Sequence, residues 1–199
     1  MLVDRINGAA RHVPTWVVYI VCLLPVPLLL YMAQTGGLGR EPIKALEHEL
    51  GEIALQLLLV GLCITPLRRF GGLNLLRFRR AIGLLAFVYV ALHLLVWAVL
   101  DVQALDRVWA DIVKRPYITI GMSAFVLMLP LAATSNNWSV RKLGVRWRKL
   151  HTLTYAVALL GALHFVWLAK GVQIEPIMYL TITIGLLLLR MTPKRRRAV

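Results

Sequence analysis

Apolar residues in this chain gather into six uninterrupted runs separated by short polar segments. The runs cover residues 14–34, 50–66, 81–100, 116–134, 150–169 and 174–190. A helix needs about 20 residues to cross the hydrocarbon core of a bilayer. The pattern therefore predicts an all-α fold, a polytopic membrane bundle of six transmembrane helices forming a single domain over residues 1–199. The second and sixth runs are short, and Glu52 and Gln56 weaken the start of the second. Pro14 and Pro116 stand at run starts, where a missing N–H costs nothing. Pro25 and Pro27 lie inside the first run and should kink it.

Composition agrees with this pattern. Hydrophobic residues make up 59% of the 199, and mean hydropathy is +0.73. The formal net charge of +14 would by itself suggest a nucleic-acid partner. The basic residues, however, sit between the apolar runs, so the expected partner of this surface is the lipid bilayer, with no nucleic acid. Of the 23 Lys and Arg, 17 fall in the N-terminal segment, the second and fourth loops and the tail. Asp4 is the only acid among those segments. The remaining six bases and eight acids occupy the other three loops and the span ends beside them. This alternation predicts both termini on the cytoplasmic side. The basic tail through Lys194, Arg195, Arg196 and Arg197 reads as an anchor to anionic lipid.

Several function classes are excluded. Cys22 and Cys63 both lie inside apolar runs and outline neither a disulfide framework nor a zinc site. The chain carries no glycine-rich dinucleotide fingerprint and no phosphate loop. A nucleotide-binding domain is thus not expected within it. The first run is too long for the apolar core of a cleavable signal.

Histidines carry the candidate chemistry. His93 lies 13 residues beyond Arg80 and His164 lies 15 beyond Lys149, which sets both about 20 Å above the cytoplasmic edge. Two neutral imidazoles at one level on neighbouring helices are what a six-coordinate haem iron requires. His151 sits near the opposite interface, 13 residues before His164 and about 140° away around an ideal helix. Either the fifth helix bends so that those two share a seam, or His151 serves a different neighbour. His48 precedes the second span, as a quinone-bonding group, a docking residue or a polar helix start. Glu52 and Gln56, on roughly the same face, either carry a proton or satisfy one another. Arg77, Arg79 and Arg80 converge with Arg146, Arg148 and Lys149 on the cytoplasmic face. They either reflect topology alone or hold an anion, a haem propionate or a flavin phosphate.

Several segments carry a family resemblance. They are Thr65-Pro66-Leu67-Arg68, Arg79-Arg80-Ala81-Ile82-Gly83-Leu84 leading to Leu92-His93-Leu94, and Lys114-Arg115-Pro116-Tyr117-Ile118-Thr119. Leu143-Gly144-Val145-Arg146-Trp147-Arg148-Lys149-Leu150-His151 and His164-Phe165-Val166-Trp167 complete the set. Together they resemble the MsrQ (YedZ) family, haem-binding membrane subunits of the periplasmic methionine sulfoxide reductase system, within the ferric-reductase-like transmembrane superfamily. The resemblance implies a transmembrane electron-transfer subunit binding b-type haem and FMN. Electrons would come from the quinone pool or a cytosolic flavin reductase. They would pass to the periplasmic molybdopterin subunit MsrP, where the substrate chemistry of protein repair takes place. It implies haem-ligand roles for His93, His151 and His164, with Arg79 and Arg80 as first candidates for the flavin. Larger superfamily members carry two histidines on each of two helices; here the third span retains only His93. A proton- or metal-coupled transporter and a stand-alone ferric or quinone reductase are the competing classes.

Overall fold

The computed structural model describes residues 2–169 and 171–191, so Lys170 and the basic tail from 194 to 197 lie outside the described residues. Among the described residues every regular element is helical. Five helical segments are long and apolar enough to cross a membrane: Thr15–Thr35, Pro42–Phe70, Leu76–Val102, Pro116–Ala133 and Val145–Leu168.

A short helix α1 (Leu2–His12) precedes the first of these. The first span is broken at Leu24 into α2 (Thr15–Leu23) and α3 (Pro25–Thr35), where Pro25 and Pro27 interrupt the ladder as their missing N–H groups require. The buried Tyr89 hydroxyl donates to the Cys22 carbonyl beside this break, at 2.6 Å. The second helix, α4 (Pro42–Phe70), runs eight residues earlier and four later than the 50–66 expected from its apolar run. The physical reason is that Pro42 opens a helix whose first two turns extend beyond the apolar stretch, where Glu47 and Glu49 carry no membrane penalty.

α4 also contains Pro66, which leaves the Leu62 carbonyl one turn earlier without its backbone donor. Arg190 fills that gap. Its guanidinium donates to Leu62 O from Nη2 at 2.7 Å and from Nε at 3.2 Å. The same group donates to the Tyr155 hydroxyl at 3.0 Å. One arginine therefore ties α11 (Ile174–Met191), α4 and α10 (Leu153–Leu168) together.

The third span is α5 (Arg79–Leu95), continued by a π-helical turn over Val96–Val102. Its buried residues Ala81, Ile82, Leu85, Ala86 and Tyr89 form one stripe, as a 3.6-residue period demands. A surface helix α6 (Leu105–Lys114) leads to α7 (Pro116–Ala133). Two short helices, α8 (Asn137–Leu143) and α9 (Val145–Leu150), lead to α10. The helix of the fifth span is interrupted at His151 and Thr152.

α4, α5, α7 and α10 pack around the centre, with α2 and α3 outside α5 and α4, and α11 against α4 and α10. Fully buried Ala158 and Ala162 bring α10 close to Leu55, Leu59 and Leu62 of α4, the small-residue packing usual where lipid supplies no hydrophobic drive between helices. Much of the remaining apolar surface, such as Ile20, Leu28, Val60 and Val126, is exposed around the outside. Of the six tryptophans, Trp97 departs from an interfacial position: it is buried in the bundle.

Candidate functional site

Two cavities lie inside the four central helices, one toward each end, of about 510 and 680 Å³. Leu58, Met128 and Val157 line both and form the layer between them. Phe87 in one cavity stacks on Phe125 in the other, with ring centroids 6.0 Å apart and planes within 5°.

The smaller cavity opens at the end carrying Lys44, Glu47, Asp101 and Arg115. His93 from α5 and His164 from α10 face each other within it, their ring centroids 6.2 Å apart and their planes at 77°. Each ring is held in the same way. His93 Nδ1 lies 2.8 Å from the Glu47 carbonyl of α4, and His164 Nδ1 lies 2.7 Å from the Tyr117 carbonyl of α7. With a carbonyl as acceptor, Nδ1 must carry the proton, which leaves the Nε2 lone pair free on both rings.

Two glycines make these contacts possible. Gly51 stands four residues after Glu47, and Gly121 four after Tyr117. A Cβ on Gly51 would sit 3.0 Å from His93 Nδ1, and one on Gly121 would sit 2.9 Å from His164 Nδ1. Each imidazole thus rests on a bare patch of the neighbouring helix and reaches the carbonyl one turn back. The expectation of two histidines at one level named this facing pair but missed both glycines. The signal that could have found them is their spacing from the accepting carbonyls, which needs the helix pairing to be known first.

The donor set fits a haem. Metal–nitrogen bonds of about 2 Å on both sides, plus the half-widths of two imidazoles, give ring centroids about 6 Å apart. The walls below the rings are apolar, including Leu55, Val90, Phe125 and Met128. Among the described residues no group of three or more His, Cys, Asp or Glu side chains gathers to hold a bare ion.

His48, expected near the second span, lines the mouth of this cavity. Glu52 lines it as well, and its Oε1 accepts from Gln56 Nε2 and from the Tyr179 hydroxyl, each at 2.9 Å. Gln56 Nε2 also donates to Tyr179, at 2.9 Å. Glu52 and Gln56 do satisfy one another, with Tyr179 of α11 as a third member that the sequence pattern did not reveal.

The larger cavity lies at the arginine-rich end, lined by Arg77, Arg79, Arg80, Arg148 and His151. Its single histidine is engaged: His151 Nε2 lies 3.0 Å from Thr134 Oγ1, and its ring stacks on Trp147 at 3.9 Å. Trp147 Nε1 in turn donates to the Thr134 carbonyl at 2.9 Å. Arg77 donates to the Ala10 and Arg11 carbonyls and so caps the C-terminus of α1. Arg80 donates to Asn137 Oδ1 at 2.7 Å, and Arg79 hydrogen-bonds Tyr155. Arg77, Arg79 and Arg80 of one basic loop and Arg148 of the other thus line one cavity, whereas Arg146 and Lys149 are not among its lining residues.

Comparison with known proteins accords with this architecture. Residues 50–162 match the family described as ferric reductase like transmembrane component. The chain is 47% identical over 173 residues to the protein-methionine-sulfoxide reductase heme-binding subunit MsrQ of Agrobacterium fabrum, covering 86% of this chain and 80% of that one. It is 48% identical over 186 residues to the MsrQ of Rhizobium meliloti, covering 92% and 86%. It is 46% identical over 184 residues to that of Brucella anthropi, covering 92% and 83%. No solved structure matches the chain. With at least 80% of each relative covered and nearly half of the aligned residues identical, this chain belongs to the MsrQ family of ferric-reductase-like membrane proteins.

Proposed function

We propose that this protein is the transmembrane electron-transfer subunit of a methionine sulfoxide reductase system, carrying b-type haem between His93 and His164. The observation that supports it most is the pair of imidazoles 6.2 Å apart, each fixed through Nδ1 to a backbone carbonyl. Haem supplies one-electron redox chemistry at membrane depth. The chain's own residues would hold it by orienting both Nε2 lone pairs and packing apolar side chains such as Leu55, Val90, Phe125 and Met128 around it. Substrate chemistry belongs to a partner, a periplasmic molybdopterin reductase of the MsrP kind.

In this reading α11 is a sixth span, both termini are cytoplasmic and the whole of residues 1–199 is one domain in a bacterial inner membrane. The Lys and Arg distribution supports that orientation. The arginine-rich cavity then faces the cytoplasm and takes a second planar anionic group, a haem through its propionates or FMN through its phosphate. Arg79, Arg80 and Arg148 are the cations placed to receive it, with Arg77 at its edge and His151 as a ligand once released from Thr134. Electrons enter there from a cytosolic flavin reductase or, through the Glu52 and His48 side, from the quinone pool. The layer of Leu58, Met128 and Val157 lies between the two cavities.

The test is spectroscopic. Purified protein expressed with ample haem should be red, with a split Soret and α-band change on dithionite addition. A colourless preparation would remove the reading and favour transport.

A further inference from the structure

Between the π-helical end of α5 and the start of α7, the ten residues of α6 present three chemically different sides. Val108, Asp111 and Ile112 are the part-buried side. Asp111 pairs with Arg115 at 3.2 Å, and the Ile112 carbonyl accepts from Thr119 Oγ1 at 2.6 Å, fixing the helix to α7. Leu105, Trp109 and Val113 recur every fourth residue, so they form one stripe. They are 86, 69 and 67% exposed. Arg107 and Lys114 are also exposed, about 150° around the axis from Trp109 at 100° per residue.

We infer that α6 lies flat on the membrane surface, with Leu105, Trp109 and Val113 inserted at the headgroup–acyl boundary and Arg107 and Lys114 turned to the phosphates and water. The inference rests on α5 and α7 being membrane spans. The ends that α6 joins then sit at bilayer level, and a helix of about 15 Å cannot carry its apolar stripe away from lipid. A surface-lying helix needs an apolar stripe, a tryptophan at interface depth and basic residues on the polar side. α6 has all three, and its exposed stripe continues the apolar exterior of the spans. The placement matters for the histidine cavity: Asp101 before α6 and Arg115 after it both line the cavity mouth. The bilayer, through α6, holds that rim at a fixed height.

The experiment places nitroxides singly at positions 105, 107, 109 and 113, and at 126 on the exposed face of α7. The full chain is then reconstituted in nanodiscs of phosphatidylethanolamine and phosphatidylglycerol. Collision with oxygen should exceed collision with a water-soluble nickel chelate several-fold at 105, 109, 113 and 126, and the order should reverse at 107. Nickel access at 109 equal to that at 107, with 126 still in lipid, would overturn the placement. Protection of 109 from both reagents would overturn it too, showing the stripe covered by protein, a second copy or a co-purified partner. Nickel access at 126 as well would remove the span assignment, and the placement with it. Where a label prevents folding, brominated lipids serve instead. They should quench unlabelled protein more than the Trp109→Phe variant, and equal quenching would contradict the proposal.

Discussion

The two cavities share a floor of Leu58, Met128 and Val157 and are built on opposite principles. The smaller one holds paired histidines, each locked by a helical glycine and a backbone carbonyl, with nothing left free but Nε2. The larger one holds a single histidine already bonded to Thr134, among arginines that partly serve the fold: Arg77 caps α1 and Arg80 holds Asn137. The first is a rigid, preorganised ligand pair, whose tautomers the backbone decides. The second is an electropositive chamber lined by four arginines and one histidine. One bundle thus holds a fixed imidazole pair toward one end and a cationic cavity toward the other.

Substitutions can separate these two designs. The largest effect is expected from His93→Ala or His164→Ala, each of which should reduce haem in the smaller cavity to background by quantitation per chain. His151→Ala should leave that haem in place. Next come Gly121→Ala and Gly51→Ala, whose new methyl groups push the rings off their carbonyls. Haem retention against apomyoglobin should fall roughly 10- to 100-fold, the usual cost of losing an outer-shell partner. Glycine-to-alanine changes in an ordinary helix are neutral or stabilising, so unchanged retention would show that the seats are not needed.

A smaller effect is expected at the arginine-rich end. Arg190→Ala should cost about 1–3 kcal/mol by leaving the Leu62 carbonyl unpaired, measured by unfolding in detergent. The same change in a Pro66→Ala background should cost clearly less, because the new N–H at position 66 pairs with Leu62. Equal losses in both backgrounds would show that Arg190 acts elsewhere, through Tyr155. The smallest effect belongs to Thr134→Val, which frees His151 Nε2. It should shift only spectral features of the arginine-rich cavity, while the bands assigned to His93 and His164 stay in place.

Much of this was legible from residue order alone because membrane helices announce themselves by length and apolarity. The helix starts at Pro116 and Ile174, the break at Pro25 and the matched level of His93 and His164 follow from counting. The extension of α4 to Pro42 was hidden, since Glu47 and Glu49 end the apolar run but not the helix. Partnerships across the bundle were hidden too. Gly51 and Gly121 acquire meaning only once α4 lies beside α5 and α7 beside α10. Arg190 reads as a positive-inside residue until Pro66 is found opposite it. The bond between His151 and Thr134, which stands 17 residues earlier at the end of α7, was hidden as well.

The central claim is that His93 and His164 bind one iron between near-perpendicular rings. Low-temperature EPR of the oxidised protein tests it most directly. The expected result is a highly anisotropic low-spin ferric signal, as crossed imidazole planes produce, absent from both His93→Ala and His164→Ala and retained in His151→Ala. A low-spin signal that survives in either of the first two variants, or a purely high-spin spectrum in the unaltered protein, would contradict the account.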